Sequence, residues 1–489
     1  MSVNMKTKRL KGILLFLFII TFCFLSFVYA EAGTSKTKKS KHDQEVNDFI
    51  NQMSLDEKIC QLFILTPEAL TGSGNVTMAG DRTQAAIYET PVGGLIYMEN
   101  NLEGWDQTKS MLDNTQQYSY ARIGLPMFLA VDEEGGRVRR VSGRIGDISA
   151  VPSMGEVGYW ESEEAYALGE RIGNYLSELG FNVDFAPVAD VLSNSDNSVI
   201  GDRSFGTNPI KVAELVVSVM DGLQNSGIIA TLKHFPGHGS TSEDSHDEYA
   251  ISYQDMNELM NQDLLPFAEG IAHGAKMIMM GHISLPEITG EMIPSSLSHD
   301  IVTDLLRDKL KYDGIIITDA LEMGAITEHY NSSDAAIKAI QAGCDMLLMP
   351  SDWHAARYAL IDAVESGLIS EERIDDSVKR IIELKLALRN AHSNSLEGLD
   401  EDDSEENFEE DLNEDEEESE DENEDDDPAV DMMETEDSES VVELVEVDIE
   451  SIADLVEDET DSVTDSISDD PDSADIFSGF ESGELQLVG

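Results

Sequence analysis

Apolar positions in this chain fall in short, nearly unbroken runs. They are "QLFIL" (Gln61 to Leu65), "GGLIYM" (Gly93 to Met98), "PMFLAVD" (Pro126 to Asp132) and "NVDFAPVAD" (Asn182 to Asp190). Then come "IIATLKHF" (Ile228 to Phe235), "KMIMMGHI" (Lys276 to Ile283), "GIIITDAL" (Gly314 to Leu321) and "DMLLMP" (Asp345 to Pro350). Runs apolar on every position suit strands buried on both faces, as in a parallel sheet. Helical spacing lies between most of them, as in "EEAYALGERIGNYLSELG" (Glu163 to Gly180), which closes on a glycine stop. Eight strand–helix units between Val46 and Asn390 predict an α/β fold, a (β/α)8 TIM-type barrel with insertions. A doubly wound open sheet is the competing arrangement.

A barrel gathers its chemistry where strands end. Asp132 closes the third run and Asp190 the fourth, Lys233 and His234 the fifth, His282 the sixth and Asp319 the seventh. Turns alone do not account for charged or titratable residues closing five of eight runs.

Charge changes the picture at the two ends. The formal net charge is −68, but 42 of the 99 acidic residues, and none of the 31 basic ones, lie from Asp400 onward. That leaves 57 acids against 31 bases upstream. Residues 391–489 read as a disordered acidic tail, because such charge cannot be buried and repels itself. Cations or a basic partner are what it would bind. Nucleic acid is excluded as a partner, since phosphate contacts need a basic surface. At the other end, Lys6, Lys8, Arg9 and Lys11 precede an apolar run from Gly12 to Val28, and "VYA" (Val28 to Ala30) offers a cleavage site. Residues 1–30 are therefore expected to be a signal peptide, with an uncleaved anchor as the alternative. Residues 31–45 form a polar linker, and a secreted or envelope-associated protein follows. Cys60 and Cys344 are expected to be two buried single thiols, since a large core needs no staple.

The densest chemistry lies in "KHFPGHGSTSEDSH" (Lys233 to His246). Pro236, Gly237 and Gly239 break any regular element there. His234 and His238 are spaced like a helix-borne metal pair, but Pro236 and Gly237 interrupt that helix, and no metal is assigned. The two glycines do not have the spacing of a phosphate-binding loop. Asp244 and His246 suit an acid–base pair, in which the carboxylate sets the imidazole's tautomer and basicity. An ordinary surface Asp–His pair fits the same spacing. Asp319, after four uncharged residues, reads either as a nucleophile at a barrel mouth or as a helix N-cap.

Together, "DEEGGRVRR" (Asp132 to Arg140), "GDRSFG" (Gly201 to Gly206), "KHFPGHG" with "DSH" (Lys233 to His246) and "TDALEM" (Thr318 to Met323) resemble glycoside hydrolase family 3, in its β-N-acetylglucosaminidase branch. The resemblance runs from about Val46 to Asn390 and implies a retaining mechanism on a (β/α)8 barrel. It implies Asp319 as nucleophile, His246 as general acid and then base, and Asp244 as the residue that orients His246. Asp132, Arg140, Arg203, Lys233 and His234 would form the sugar subsite, and His238 would shape the loop. No cofactor is implied. The expected activity is an exported exo-β-N-acetylglucosaminidase acting on glycans with terminal N-acetylglucosamine, peptidoglycan fragments among them. A phosphorylase and a non-catalytic wall-glycan-binding protein are the other readings. Two departures stand out: Glu133 replaces the family's usual Gln, adding negative charge beside Asp132, and "DEYA" (Asp247 to Ala250) replaces an apolar residue and a proline. The chain after Asn390 lacks the apolar content of the second α/β domain that some relatives carry. Oligomeric state is not legible.

Overall fold

A computed structural model of the protein describes residues 41–241 and 250–402. Ten strands occur in chain order among them. They are β1 (Phe63–Leu65), β2 (Gly94–Ile96), β3 (Phe128–Val131), β4 (Val183–Asp184), β5 (Ile229–Phe235), β6 (Ala250–Ile251), β7 (Met277–Met280), β8 (Ile283–Ser284), β9 (Ile315–Ala320) and β10 (Met346–Leu348). Eight of them close a parallel barrel in the order β1-β10-β9-β7-β5-β4-β3-β2. Closure is made where Phe63 and Ile64 of β1 pair with Leu347 and Leu348 of β10. Each of the eight apolar runs supplies one barrel strand, so the closed barrel prevails over the open sheet. β6 and β8 pair with each other outside it.

The strands are buried on both faces; all seven residues of β5 are inside. β4 is only two residues long, although its apolar run is nine. Pro187 lacks an N–H to donate, so the ladder breaks there. It resumes at Val188, which bridges Lys233, and Ala189 N–H donates to Lys233 O at 2.6 Å. The helix predicted to end at Gly180 spans Ser162–Leu179, and Gly180 caps it at φ 106°.

The floor of the barrel is polar but paired. Asp345, at the start of β10, accepts from Arg307 Nη2 (2.6 Å), Ser377 Oγ (2.7 Å), Ile316 N–H (3.0 Å) and Arg380 Nη1 (3.1 Å). This joins the helix Asp300–Lys309 and the last helix, Glu371–Asp402, to β9 and β10. Lys385 of the last helix is fully buried; it donates to Gln61 Oε1 at 2.8 Å and lies 5.1 Å above the Phe128 ring. Cys60 and Cys344 are buried free thiols, as expected, and burial pushes both up to about 12. Among the described residues no helix is long and apolar enough to cross a membrane.

Candidate active site

The carboxyl ends of β3, β5 and β9 bring Asp132, Lys233, His234 and Asp319 to one mouth of the barrel. Lys233 reaches across from β5 to two carboxylates, Glu134 Oε1 at 2.6 Å and Asp132 Oδ1 at 2.9 Å. Burial alone would lower its pKa, but the charges of Asp132 and Glu134 raise it above the usual lysine value. Lys233 is therefore a fixed ammonium. Arg203, from the turn Gly201–Arg203, meets Glu134 bidentately through Nε (2.8 Å) and Nη2 (2.9 Å). Burial pushes the Glu134 carboxyl up, yet Arg203 and Lys233 together hold it well below the carboxylate range. Arg140 stands at the rim, its Nη2 4.0 Å from Asp132 Oδ2.

His234 sits inside this charge network. Its Nδ1 lies 2.7 Å from Asp190 Oδ2, and its Nε2 faces Arg203 Nη2 at 3.4 Å. The bond between Lys233 and His234 is cis, as is that between Phe235 and Pro236. Beyond them the loop turns tightly. Gly237 adopts φ +133°, and a Cβ there would lie 2.4 Å from Asp263 Cβ. A Cβ on Gly239 would lie 1.8 Å from the Val191 carbonyl oxygen. The two glycines of "PGHG" thus let the loop pass against residues 191 and 263, which is why that stretch is neither helix nor strand.

His238 packs edge to face on His234, ring centroids 5.9 Å apart. Its N–H donates to Asp190 Oδ1 (2.7 Å), its carbonyl accepts from Asn197 Nδ2 (2.8 Å), and its Nδ1 lies 2.9 Å from Thr241 Oγ1. Burial, opposed by Asp190, lowers the His238 imidazole to about 4. It is neutral at neutral pH and packs as part of the loop. The two histidines at the spacing of a metal pair are thus engaged with Asp190 and Thr241.

Asp319 is half-buried near the end of β9, and its Oδ1 accepts from Ala320 N–H at 2.8 Å. Burial pushes its carboxyl up, but His234, His282, the Ala320 N–H and Lys233 outweigh that and hold it below the usual 3.8. Asp319 is not an N-cap: the helix that follows begins at Gly324 and is preceded by Met323. His282 stands fully buried beyond β7. Its Nε2 donates to Ala320 O at 3.0 Å and its Nδ1 accepts from Ser296 Oγ at 2.8 Å, which pins the end of β9 beside Asp319. Asp244 and His246 lie outside the described residues, as do residues 1–40 and 403–489.

Glu133 takes a different role from its neighbours. Its carboxylate accepts from the N–H groups of Arg140 (2.6 Å), Val141 (2.8 Å) and Ser142 (2.8 Å) and from Tyr175 OH (2.9 Å). The charge that replaces the usual Gln is spent holding the Arg140 loop. Beneath it, Asp184 Oδ1 accepts from Glu133 N–H at 2.9 Å. Burial, reinforced by the charge of Glu133, pushes Asp184 well above the carboxylate range. Sequence reading assigned no role to Glu134, Asp190 or His282. Glu134 was hidden inside the "DEEGG" motif, whereas Asp190 and His282 were visible as strand-end residues whose contacts no local pattern records.

Residues 54–384 match the model of the glycosyl hydrolase family 3 N-terminal domain. The chain belongs to glycosyl hydrolase family 3. It is 35% identical over 326 residues to a β-hexosaminidase A of Pseudoalteromonas piscicida, covering 61% of this chain and 54% of that protein. A β-hexosaminidase of Mycobacterium tuberculosis is 33% identical over 343 residues, covering 68% of this chain and 83% of that one. Among solved structures, a family 3 β-N-acetylglucosaminidase from Paenibacillus sp. str. FPU-7 superposes with a TM-score of 0.64 at 37% identity, covering 69% of this chain and 63% of that chain. The family 3 domain here thus spans little more than half of the first of these relatives.

Proposed function

We propose that this family 3 protein is an exported, retaining exo-β-N-acetylglucosaminidase. The observation that carries the reading is the Asp319 carboxylate, held ionised by His234, His282, the Ala320 N–H and Lys233, while Lys233 also pairs with Asp132. A carboxylate kept charged in a partly dry site is a nucleophile for an anomeric carbon. Asp132, Arg140, Arg203, Lys233 and His234 supply donors and acceptors for sugar hydroxyls, whose bonds tighten in the transition state. The names borne by the relatives support N-acetylglucosamine as the glycone.

In the first step an Asp319 oxygen bonds to C1 while the C1–O bond to the aglycone breaks, and His246 gives its proton to the departing oxygen. In the second, water attacks C1 as His246 takes its proton, and the C1–Asp319 bond breaks with net retention. In this reading Asp244 is the residue that orients and tunes His246. The amino-terminal segment sends the protein outward, where peptidoglycan fragments ending in N-acetylglucosamine are the natural substrate.

The test is hydrolysis of a chromogenic β-N-acetylglucosaminide by the chain from Glu31 onward, beside Asp319→Ala and His246→Ala. Turnover should collapse in Asp319→Ala, and fall less in His246→Ala when the aglycone is a good leaving group. Sugar 1-phosphate formed in phosphate buffer would replace the hydrolase with a phosphorylase. Binding without turnover would leave a glycan-binding protein.

A further inference from the structure

Asp190 touches the site twice and has no place in the chemistry above. It ends the segment after β4 and is fully buried. One oxygen, Oδ2, faces His234 Nδ1 at 2.7 Å. The other, Oδ1, accepts from His238 N–H at 2.7 Å and from His234 N–H at 3.2 Å. Burial pushes this carboxyl up, but His234 and His238 more than compensate, so it is an acceptor at both oxygens. Three donors therefore converge on one carboxylate, two from His234 and one from the loop that follows it.

The far side of His234 completes the constraint. Its Nε2 faces Arg203 Nη2 at 3.4 Å, and an arginine nitrogen can only donate. An imidazole with its hydrogen on Nδ1 satisfies both neighbours: it donates to Asp190 and presents an acceptor to Arg203. The opposite tautomer would set two acceptors against each other at Nδ1 and two donors at Nε2.

Building on the glycosidase reading, we propose that Asp190 is a positioning residue for the reaction: it fixes the tautomer and orientation of His234 in the sugar subsite and, with the same carboxylate, holds the backbone of the loop at His238. Neighbouring contacts hold that loop in the same register. Asn194 N–H donates to Gly239 O at 3.0 Å and Asn197 Nδ2 to His238 O at 2.8 Å. The grip on the sugar and the start of the loop are thereby set by one group.

Two variants separate the two roles. In Asp190→Asn the amide oxygen can still accept from His238 N–H, while its NH2 group faces His234 Nδ1. The loop bond survives and the tautomer is driven over, against Arg203. Asp190→Ala loses both. Nitrogen-15 spectra of the histidines should show His234 protonated at Nδ1 in the wild type and at Nε2 in Asp190→Asn. kcat/KM for the chromogenic β-N-acetylglucosaminide should fall on the order of 100-fold in Asp190→Asn. That is less than the ~10⁴ seen when the orienting carboxylate of a proton-relaying histidine is neutralised, since His234 grips rather than relays. In a His234→Ala background the Asp190→Asn loss should vanish, while Asp190→Ala should keep a residual loss through the loop.

A wild-type His234 protonated at Nε2, or an Asp190→Asn loss that persists undiminished without His234, overturns the proposal. If the wild type hydrolyses none of the glycosides, the glycosidase reading fails, and the nitrogen-15 spectra still decide whether Asp190 sets His234.

Discussion

Arg203 and Glu134 face each other through two hydrogen bonds of 2.8 and 2.9 Å, and the same carboxylate accepts from Lys233 at 2.6 Å. Glu134 is therefore the common counter-ion of two subsite cations and is itself almost wholly inside the protein. In Glu134→Gln the neutral amide leaves two buried cations sharing Asp132 and His234. Breaking a buried pair from one side costs about 3–5 kcal/mol. The variant should unfold at clearly lower denaturant, and any folded fraction should bind the sugar poorly, with KM raised more than kcat is lowered. Stability within 1 kcal/mol of wild type, roughly the reach of a surface pair, would contradict this role.

Lys385 carries a charge problem into the barrel floor. Burial lowers its ammonium to about 7, and Gln61 Oε1 is the hydrogen-bond acceptor beside it. Unfolded lysine titrates near ~10.4. Between these values the unfolded chain binds more protons than the native one, so stability rises as pH goes from about 7 toward 10. Lys385→Met should flatten that rise. Its absolute stability also carries a loss of about 1–3 kcal/mol from the unpaired Gln61 oxygen. Urea melts at pH 7 and 9.5 give the slope, and an unchanged slope in the variant would rule the assignment out.

Asp263 acts in the opposite sense and in the neighbouring window. It is fully buried under Gly237, and its carboxyl oxygens make no well-formed hydrogen bond among the described residues, with Gln254 and Ser240 the polar side chains that act on it. Burial pushes it up to about 7, Asp190 adding to the effect and Gln254 and Ser240 opposing it. Here the native state binds the extra proton, so this contribution is full below the unfolded value near ~3.9 and is lost as pH rises toward 7. Asp263→Asn should therefore gain stability over wild type as pH goes from 4 to 8, by up to a few kcal/mol at ~1.4 kcal/mol per pKa unit. A difference that stays constant between melts at pH 4.5 and pH 8 would count against it.

Gly239 offers a steric test. An added Cβ would stand 1.8 Å from the Val191 carbonyl oxygen, a fixed backbone atom. Gly239→Ala must displace either the loop after His238 or the segment after Asp190, at roughly 1–3 kcal/mol. The expected result is a modest loss of melting temperature with a much larger loss of kcat/KM. A variant as active as wild type would show that the loop can shift freely.

What could be read in the chain, and what could not, follows the range of the interactions. The barrel was legible because burial on both faces writes itself into consecutive apolar residues, as in "IIITDA" of β9. Strand ends then pointed to Asp132, Lys233, His234 and Asp319 without any knowledge of contacts. Partners were not legible. Asp190 meets His234 across 44 positions and Glu134 meets Arg203 across 69, and no local pattern records either meeting. Lys385 sits in a helix where a lysine reads as a solvent-facing residue, and only the closed floor around Gln61 turns it inward. The shortness of β4 was written in Pro187, whereas its resumption at Val188 depends on Lys233 across the barrel.

The last helix has a consequence for how the molecule comes into being. Lys385 bonds Gln61 from 324 positions away, and Arg389 bonds Glu45 from 344. β1 likewise has no neighbour on one side until β10 is made. A chain emerging from the ribosome therefore exposes an unpaired strand and an open barrel seam until nearly all of the domain has been synthesised. Contacts of such long sequence separation form slowly. Nascent chains halted before Glu371 would lack the staple altogether, and would be the forms most in need of a chaperone.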